Sequence, residues 1–258
     1  MIDTRLGTSI SRRTLIGALA IEIALSPADP AASTRAEIKA VVFDAFPIFD
    51  PRLIATLTRS YFPKEGEILA NLWSSKLFSY TWLCAAAGQY EDFETLADKS
   101  LRYAAEALQI SVPAAWRTIL VGAYSQLDVW PDVKPALQKL RNAGLRLGFL
   151  SNLSESTLVV NMRNAGIASG FEHVLSTDRV QRFKPAPAAY HMAIEAFGLG
   201  KNEIGFAAFG GWDAAGADWF GYRTAWVNRL GMPNERLGPS PPIVSRGIEG
   251  VLMLAGLA

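Results

Sequence analysis

Four polar motifs occur in order along the chain, and three of them follow a segment with the composition of a buried strand. Asp44 follows the apolar run 40–43, Ser151 and Asn152 follow 145–150, Asp213 comes after 204–209, and Lys184 stands before Pro185. Because the carboxyl ends of parallel strands open on one crevice, we expect these side chains to lie together. A carboxylate there can act as a nucleophile, and a neighbouring ammonium keeps it ionised. The ordered set predicts an enzyme.

Most of the chain alternates short apolar strands with helical stretches. Strands are predicted at 38–43, 146–150, 173–176, 204–208 and 224–227, and helices at 133–143, 155–165, 188–197 and 214–220. A glycine follows each of these helical runs, as is typical of helix ends that need a left-handed residue. The alternation predicts an α/β fold with a doubly wound parallel sheet.

Residues 51–126 interrupt this alternation. They contain no convincing strand and three amphipathic helical runs, at 68–87, 92–108 and 113–127. We therefore expect a helical cap domain over 51–126, inserted after the first strand of a core domain formed by 37–50 and 127–258. Most aromatic side chains of the cap are expected to pack between its helices, and one or two to line a pocket.

The N-terminus has the organisation of an export signal. Ser11-Arg12-Arg13-Thr14-Leu15 precedes an apolar stretch at 15–25, then small residues and prolines up to Ala36. Glu22 departs from the usual apolar composition. We expect residues 1–36 to be a twin-arginine signal, cleaved after Ala28 or Ala32, and the protein to be periplasmic. The alternative is an N-terminal extension on a cytoplasmic protein. The stretch is shorter than the roughly 20 residues of a membrane span, so no stable span is expected.

Composition argues against several classes of function. Lys and Arg total 25 against 24 Asp and Glu, so no basic excess indicates a nucleic-acid partner. Cys84 is the only cysteine and therefore excludes an intrachain disulfide or a thiolate cluster. Two isolated histidines are too few for a histidine-built zinc site.

The four motifs together resemble those of the haloacid dehalogenase superfamily, and most closely its (S)-2-haloacid dehalogenase branch. They are Phe43-Asp44-Ala45-Phe46, Leu150-Ser151-Asn152, Phe183-Lys184-Pro185 and Trp212-Asp213-Ala214-Ala215-Gly216-Ala217. The resemblance extends over 38–229, including Tyr80-Thr81-Trp82-Leu83 in the insertion and Trp226-Val227-Asn228-Arg229 near the end.

The resemblance implies a role for each catalytic residue. Asp44 attacks the halogen-bearing carbon and forms an ester. Lys184 holds Asp44 ionised and helps to bind the substrate carboxylate, and Ser151 donates a hydrogen bond with Asn152 beside it. Asp213 positions Lys184 and the hydrolytic water. Phe46, Phe78, Tyr190 and Trp212 are expected to bind the substrate, a small 2-haloalkanoic acid.

Phe46 distinguishes this chemistry from that of phosphatases in the superfamily. Those enzymes resemble this chain but carry a second Asp at that position, as a general acid for an alcohol and often near Mg²⁺. An aromatic ring donates no proton, and halide leaves without one. The resemblance therefore implies no metal and no cofactor. A homodimer is plausible by the same analogy.

Several positions depart from the dehalogenase pattern. Pro47-Ile48 replaces Gly-Thr, Ser74 replaces an arginine that binds halide, and Ala208 and Gly210 replace a Ser and an Asn. Each preorganised polar group commonly contributes about 10²- to 10³-fold in rate. The alternatives are thus a divergent or non-catalytic protein that binds small carboxylates and, less favoured, a phosphohydrolase.

Overall fold

The computed structural model describes residues 37–238 and 241–257, and a parallel sheet of six strands runs through them. The strands are β1 (Ala40–Phe43), β2 (Arg146–Ser151), β3 (His173–Ser176), β4 (Ile204–Ala208), β5 (Arg223–Val227) and β6 (Ile243–Ser245). Their spatial order is β3-β2-β1-β4-β5-β6. The central strand is therefore β1, the strand that ends at Asp44.

Both faces of the sheet are covered, as expected for a doubly wound domain. Val41 and Phe43 pack into one hydrophobic cluster, whereas Ala40 and Val42 pack into another. Successive side chains of a strand point to opposite faces, so a strand buried on both sides is apolar throughout. The predicted α/β fold with a doubly wound parallel sheet is confirmed.

Five helices connect or follow the strands: α5 (Val133–Asn142), α6 (Glu155–Ala165), α7 (Pro187–Phe197), α8 (Gly211–Phe220) and α9 (Glu249–Leu254). Local sequence accounts for several of their ends. The Ser154 hydroxyl accepts a hydrogen bond from the Thr157 amide at the start of α6, and Gly166 ends that helix in the left-handed conformation. The helix α7 begins with Pro187, whose missing N–H is not needed in the first turn.

Four helices lie between β1 and α5, namely α1 (Arg52–Tyr61), α2 (Gly66–Ala87), α3 (Phe93–Ala107) and α4 (Ala114–Gly122). The absence of a side chain at Gly66 lets α2 begin against α1, because a Cβ there would lie 2.6 Å from the Arg59 Cα. The helical insertion after the first strand thus matches the sequence pattern. Its division from the rest as a separate cap domain stays a prediction.

Three features of the fold differ from the sequence-based expectation. The helix α1 was not predicted, because its buried stripe is only Ile54 and Thr58. The strand β6 was also missed, since three residues beyond a proline-rich stretch carry little periodic signal. The helix α8 begins at Gly211 instead of 214, which places Asp213 in its first turn. No helix within 37–238 or 241–257 is long and apolar enough to cross a membrane. The predicted export signal lies outside the described residues.

Candidate active site

The order of the strands brings the predicted catalytic residues to one edge of the sheet. Asp44 directly follows β1, Ser151 ends the neighbouring β2, and Asp213 lies just beyond β4 on the other side of β1. Lys184 precedes α7 and has no exposed surface, and Asp213 is 1% exposed. A lysine in the loop before a proline can extend into solvent, but the side chain of Lys184 is fully buried.

Lys184 forms ion pairs with both carboxylates. Its Nζ donates to Asp44 Oδ1 at 2.9 Å and to Asp213 Oδ2 at 2.6 Å. Burial by itself lowers the pKa of a lysine, but the attraction of Asp213 and Asp44 outweighs it and raises the pKa of Lys184. Lys184 is thus an ammonium at neutral pH. With Asp44 and Asp213 ionised, the three side chains carry a formal charge of about −1.

Asp213 titrates closer to neutrality than an ordinary aspartate. Burial raises the pKa of Asp213 to about 6, a shift opposed by Lys184 and increased by the charge of Asp44. Tyr190 donates from its hydroxyl to Asp213 Oδ1 at 2.7 Å, which favours the ionised carboxylate. Tyr190 is fully buried, and burial holds the pKa of its phenol well above the usual range. The polar partner of the Tyr190 hydroxyl is therefore Asp213, and the predicted contact of Tyr190 with substrate stays a prediction.

Ser151 and Asn152 connect the end of β2 to Asp44 and to the segment that carries Lys184. The Ser151 hydroxyl donates to Asp44 Oδ1 at 3.4 Å and accepts from the Leu153 amide at 3.2 Å. Asn152 accepts from the backbone amide of Lys184 at 2.9 Å through Oδ1. Its Nδ2 is buried and has no hydrogen-bond partner. Asn152 thus orients the backbone at Lys184 and retains a buried donor without a partner.

The loop after Asp44 is held by two side chains that sequence reasoning did not select. Trp130 Nε1 donates to the carbonyl of Phe46 at 3.0 Å, and Arg229 Nη2 donates to the carbonyl of Pro47 at 2.8 Å. Arg229 also stacks on the Trp130 ring and pairs with Asp132. The motif Trp226-Val227-Asn228-Arg229 was recognised, but no local signal indicates a contact 182 residues away.

Aromatic side chains form two separate groups near the site. Phe46 packs edge-on against Phe209, with ring centroids 5.6 Å apart. Trp212 packs against Phe78 at 5.5 Å and against Trp82 at 5.6 Å. The structure therefore places Phe78 and Trp82 against Trp212 and places Phe46 in the other group. The expected contact of Phe46, Phe78 and Trp212 with substrate stays a prediction. The position two residues after Asp44 carries a ring with no proton to donate.

The structure shows the surroundings of three positions that depart from the dehalogenase pattern, Ser74, Ala208 and Gly210. Ser74 is exposed on α2, and Lys76 is not its substitute, because its Nζ lies over the rings of Tyr80 and Tyr103. Ala208 is buried at the end of β4. A Cβ at Gly210 would lie 2.6 Å from Trp212 Nε1, so the indole occupies the space that a larger residue needs.

Comparisons with known proteins show which family this chain is similar to. A family model described as haloacid dehalogenase-like hydrolase matches residues 38–217. An (S)-2-haloacid dehalogenase from Pseudomonas sp. (strain YL) is 35% identical over 218 residues, which cover 84% of this chain and 94% of that protein. The crystal structure of the L-2-haloacid dehalogenase RSc1362 superposes with a TM-score of 0.83 at 37% identity, covering 86% of this chain and all of that one.

A further solved structure carries a trapped ligand. It is an L-2-haloacid dehalogenase from Xanthobacter autotrophicus with chloropropionic acid covalently bound. Its TM-score is 0.77 at 30% identity, and the match covers 86% of this chain and all of that chain.

Proposed function

Because the chain belongs to the haloacid dehalogenase-like hydrolases, we propose that it hydrolyses the carbon–halogen bond of small 2-haloalkanoic acids through an ester on Asp44. One observation carries the proposal: Lys184 Nζ lies within hydrogen-bond distance of both Asp44 and Asp213 at the carboxyl edge of the sheet. A buried ammonium between two carboxylates supplies a nucleophile with its charge partner and leaves a second carboxylate for the hydrolytic step.

The first step forms a carbon–oxygen bond and releases halide. Asp44 Oδ1 accepts hydrogen bonds from Lys184 and Ser151, whereas Oδ2 accepts one long bond of 3.4 Å from the Phe46 amide. We assign the attack on C2 of the substrate to Oδ2, the less encumbered oxygen. Halide departs with the bonding electron pair, so no proton donor is needed, which suits a ring at Phe46.

The second step regenerates the carboxylate. Water adds to the ester carbonyl carbon of Asp44, and the bond from that carbon to the former Oδ2 breaks. This oxygen leaves as the hydroxyl of a 2-hydroxy acid with one proton from the water, the other proton passes to solvent, and the oxygen of the water stays in the carboxylate. The ionised Asp213, held by Lys184 and Tyr190, orients this water. Lys184, Ser151 and the free Nδ2 of Asn152 supply donors for the substrate carboxylate or the departing halide.

Halide release tests the proposal. The full-length chain and its Asp44→Asn variant are incubated with chloro-, bromo- and fluoroacetate and with 2-halopropionates, and halide is measured against time. We expect release by the parent chain and a loss of at least about 10³-fold in the variant, because an amide is a poor nucleophile. Asp218→Asn, a partly buried carboxylate on the same helix as Asp213, is the control and should retain activity. Release that persists in Asp44→Asn contradicts the mechanism.

The second candidate is a binding protein that uses the same pocket without turnover. It is favoured by the exposed Ser74, the apolar Ala208 and the indole that fills the space at Gly210. None of the three positions carries a charged side chain, and Ala208 and Gly210 carry no hydrogen-bonding side chain for halide or water. Saturable binding of propionate with no halide released from any 2-halopropionate, by protein shown to be folded, would favour this candidate.

A further inference from the structure

An apolar groove opens where the end of α2 meets α8. Its volume is about 450 Å³, and it is lined by Trp82, Ala85, Ala86, Pro185, Ala186, Trp212, Trp219 and Leu237. Every lining side chain is uncharged, and three of the eight are tryptophans. Trp219 is 59% exposed and Leu237 is 58% exposed. Large apolar side chains left open around a concavity of this size are typical of a ligand site.

The groove adjoins the catalytic cluster through the chain itself. Pro185 directly follows Lys184 and Trp212 directly precedes Asp213, so two lining residues are sequence neighbours of the ion-paired residues. The Trp212 ring also contacts Phe78 and lies over Gly210, beyond the end of β4. Trp212 thus lines the groove and directly precedes Asp213 in the chain.

The net charge around Lys184 attracts the carboxylate of a substrate only weakly, so an apolar groove can supply affinity that charge does not. Lys184 is shared between Asp44 and Asp213, and the three groups sum to about −1. Ser74 stands where the related pattern has an arginine, and Lys76 faces the rings of Tyr80 and Tyr103. Charge therefore contributes little net attraction for a substrate carboxylate. Burial of an apolar tail is an independent source of affinity.

We propose that this groove binds the alkyl or aryl tail of the acid, so that the preferred substrates are 2-halo acids with several carbon atoms beyond C2 rather than haloacetates. The inference rests on the proposed function, which places the carboxyl end of the substrate beside Asp44 and Lys184. From there the tail passes beside the ring of Trp212 to reach Trp82 and Trp219.

Calorimetric titration of the full-length chain with halogen-free acids tests the tail site without turnover. Acetate, butyrate, hexanoate and octanoate are compared at one pH and ionic strength. We expect the dissociation constant to fall about fourfold for each added methylene until the groove is filled. Parallel measurements of kcat/KM on 2-bromopropionate and 2-bromohexanoate should favour the longer acid.

Two variants locate the effect in the groove. Trp219→Ala removes an exposed wall, and Ala86→Phe fills the space, so both should flatten the dependence on chain length while leaving the affinity for acetate unchanged. Leu83→Ala is the matched control, because Leu83 is equally exposed on α2 but does not line the groove. It should keep the dependence of the parent chain.

Three results would overturn the proposal. The first is an affinity that does not depend on chain length. The second is a dependence on chain length that persists in both groove variants. The third is a dimer that Trp219→Ala converts to a monomer in sedimentation, which would assign the groove to a second copy of the chain. If affinity still rises with chain length but no acid releases halide, the proposed function is refuted and the tail site is not. If short acids release halide in an Asp44-dependent way but affinity does not change with chain length, the tail site is refuted and the proposed function is not.

Discussion

At the scale of single residues, the cluster places one ammonium between two carboxylates whose surroundings differ. Asp44 keeps 8% of its surface exposed and meets the substrate in the proposed mechanism, whereas Asp213 is buried and accepts from both Lys184 and Tyr190. The pKa of about 6 at Asp213 follows from burial. Asp213 therefore exchanges its proton closer to neutrality than an ordinary aspartate does, which suits it to a role in the hydrolytic step.

This difference predicts an acidic limb in the pH profile. Asp213 is ionised above its pKa and holds Lys184 and the water only in that form, so kcat should rise with pH through about 6. Tyr190→Phe removes a hydrogen bond that favours the ionised form, so the pKa of Asp213 should rise and the limb should move to higher pH. The measurement is kcat for halide release between pH 4 and 9.

Tyr222→Phe is the control for this experiment. The Tyr222 hydroxyl donates to the backbone carbonyl of Tyr190 and not to a carboxylate. Its loss removes a buried hydrogen bond of the same chemical kind without changing the partners of Asp213. A limb that moves equally in both variants, or in neither, would contradict the role assigned to Tyr190.

At the scale of elements, the loop after Asp44 lies beyond the end of β1 and is held by residues from other parts of the fold. Trp130, which precedes α5, and Arg229, which follows β5, donate to two successive carbonyls after Asp44. Arg52 lies over the Trp130 ring at 4.5 Å, and Arg229 lies over it at 4.7 Å. Side chains from two distant parts of the chain thus satisfy the carbonyls of Phe46 and Pro47.

Trp130→Phe tests whether the indole N–H positions the nucleophile. The carbonyl of Phe46 would lose its partner, and unfolding in urea should show a loss of about 1–3 kcal/mol. The rate should also fall by about 10- to 100-fold, because small displacements of a nucleophile are costly. Halide release measured at saturating substrate reports this change in kcat.

Trp73→Phe provides the comparison. Trp73 Nε1 donates to the carbonyl of Ala97 at 2.8 Å within the insertion, so the variant loses the same kind of buried bond away from Asp44. We expect a similar loss of stability and little change in kcat. If both variants lose stability and activity in the same proportion, the contact of Trp130 is structural only.

At the scale of the whole molecule, the helical insertion and the sheet are joined by polar contacts close to the site. Tyr90, which follows α2, donates to Asp178 beyond β3, and Glu94 on α3 accepts from both Ser154 and Thr157 at 2.6 Å. The first turn of α6 is thus tied to the insertion. This keeps Phe78 and Trp82 opposite Trp212.

We propose that residues 1–36 are a twin-arginine signal that directs the whole chain to the periplasm. Conservative replacement of both arginines, Arg12→Lys with Arg13→Lys, should keep the chain in the cytoplasm at its full length, because twin-arginine export reads the guanidinium pair. Cell fractionation with immunoblotting measures location and size together. Arg5→Lys, a basic residue outside the motif, should leave export unchanged. A processed periplasmic form of the double variant would contradict the proposal.

The sequence by itself determined what depends on local burial. The run Ala40–Phe43 is apolar at every position because the strand is buried on both faces, and Gly166 and Gly198 mark helix ends because they adopt positive φ. The four motifs stand at predictable points on these elements. Fold class, family resemblance and the identity of Asp44, Lys184 and Asp213 as a set therefore followed from the chain alone.

The tertiary structure decided which of these groups touch. Lys184, in the segment before α7, meets Asp44 across 140 positions of sequence because the packing of the chain brings that segment to the end of β1, and no local pattern encodes this. Tyr190 behind Asp213 and Trp130 on the Phe46 carbonyl depend on the same packing. The apolar groove also exists only where α2 approaches α8. Periodicity reports whether a residue is buried, whereas its partner is set by how the elements are arranged around the sheet.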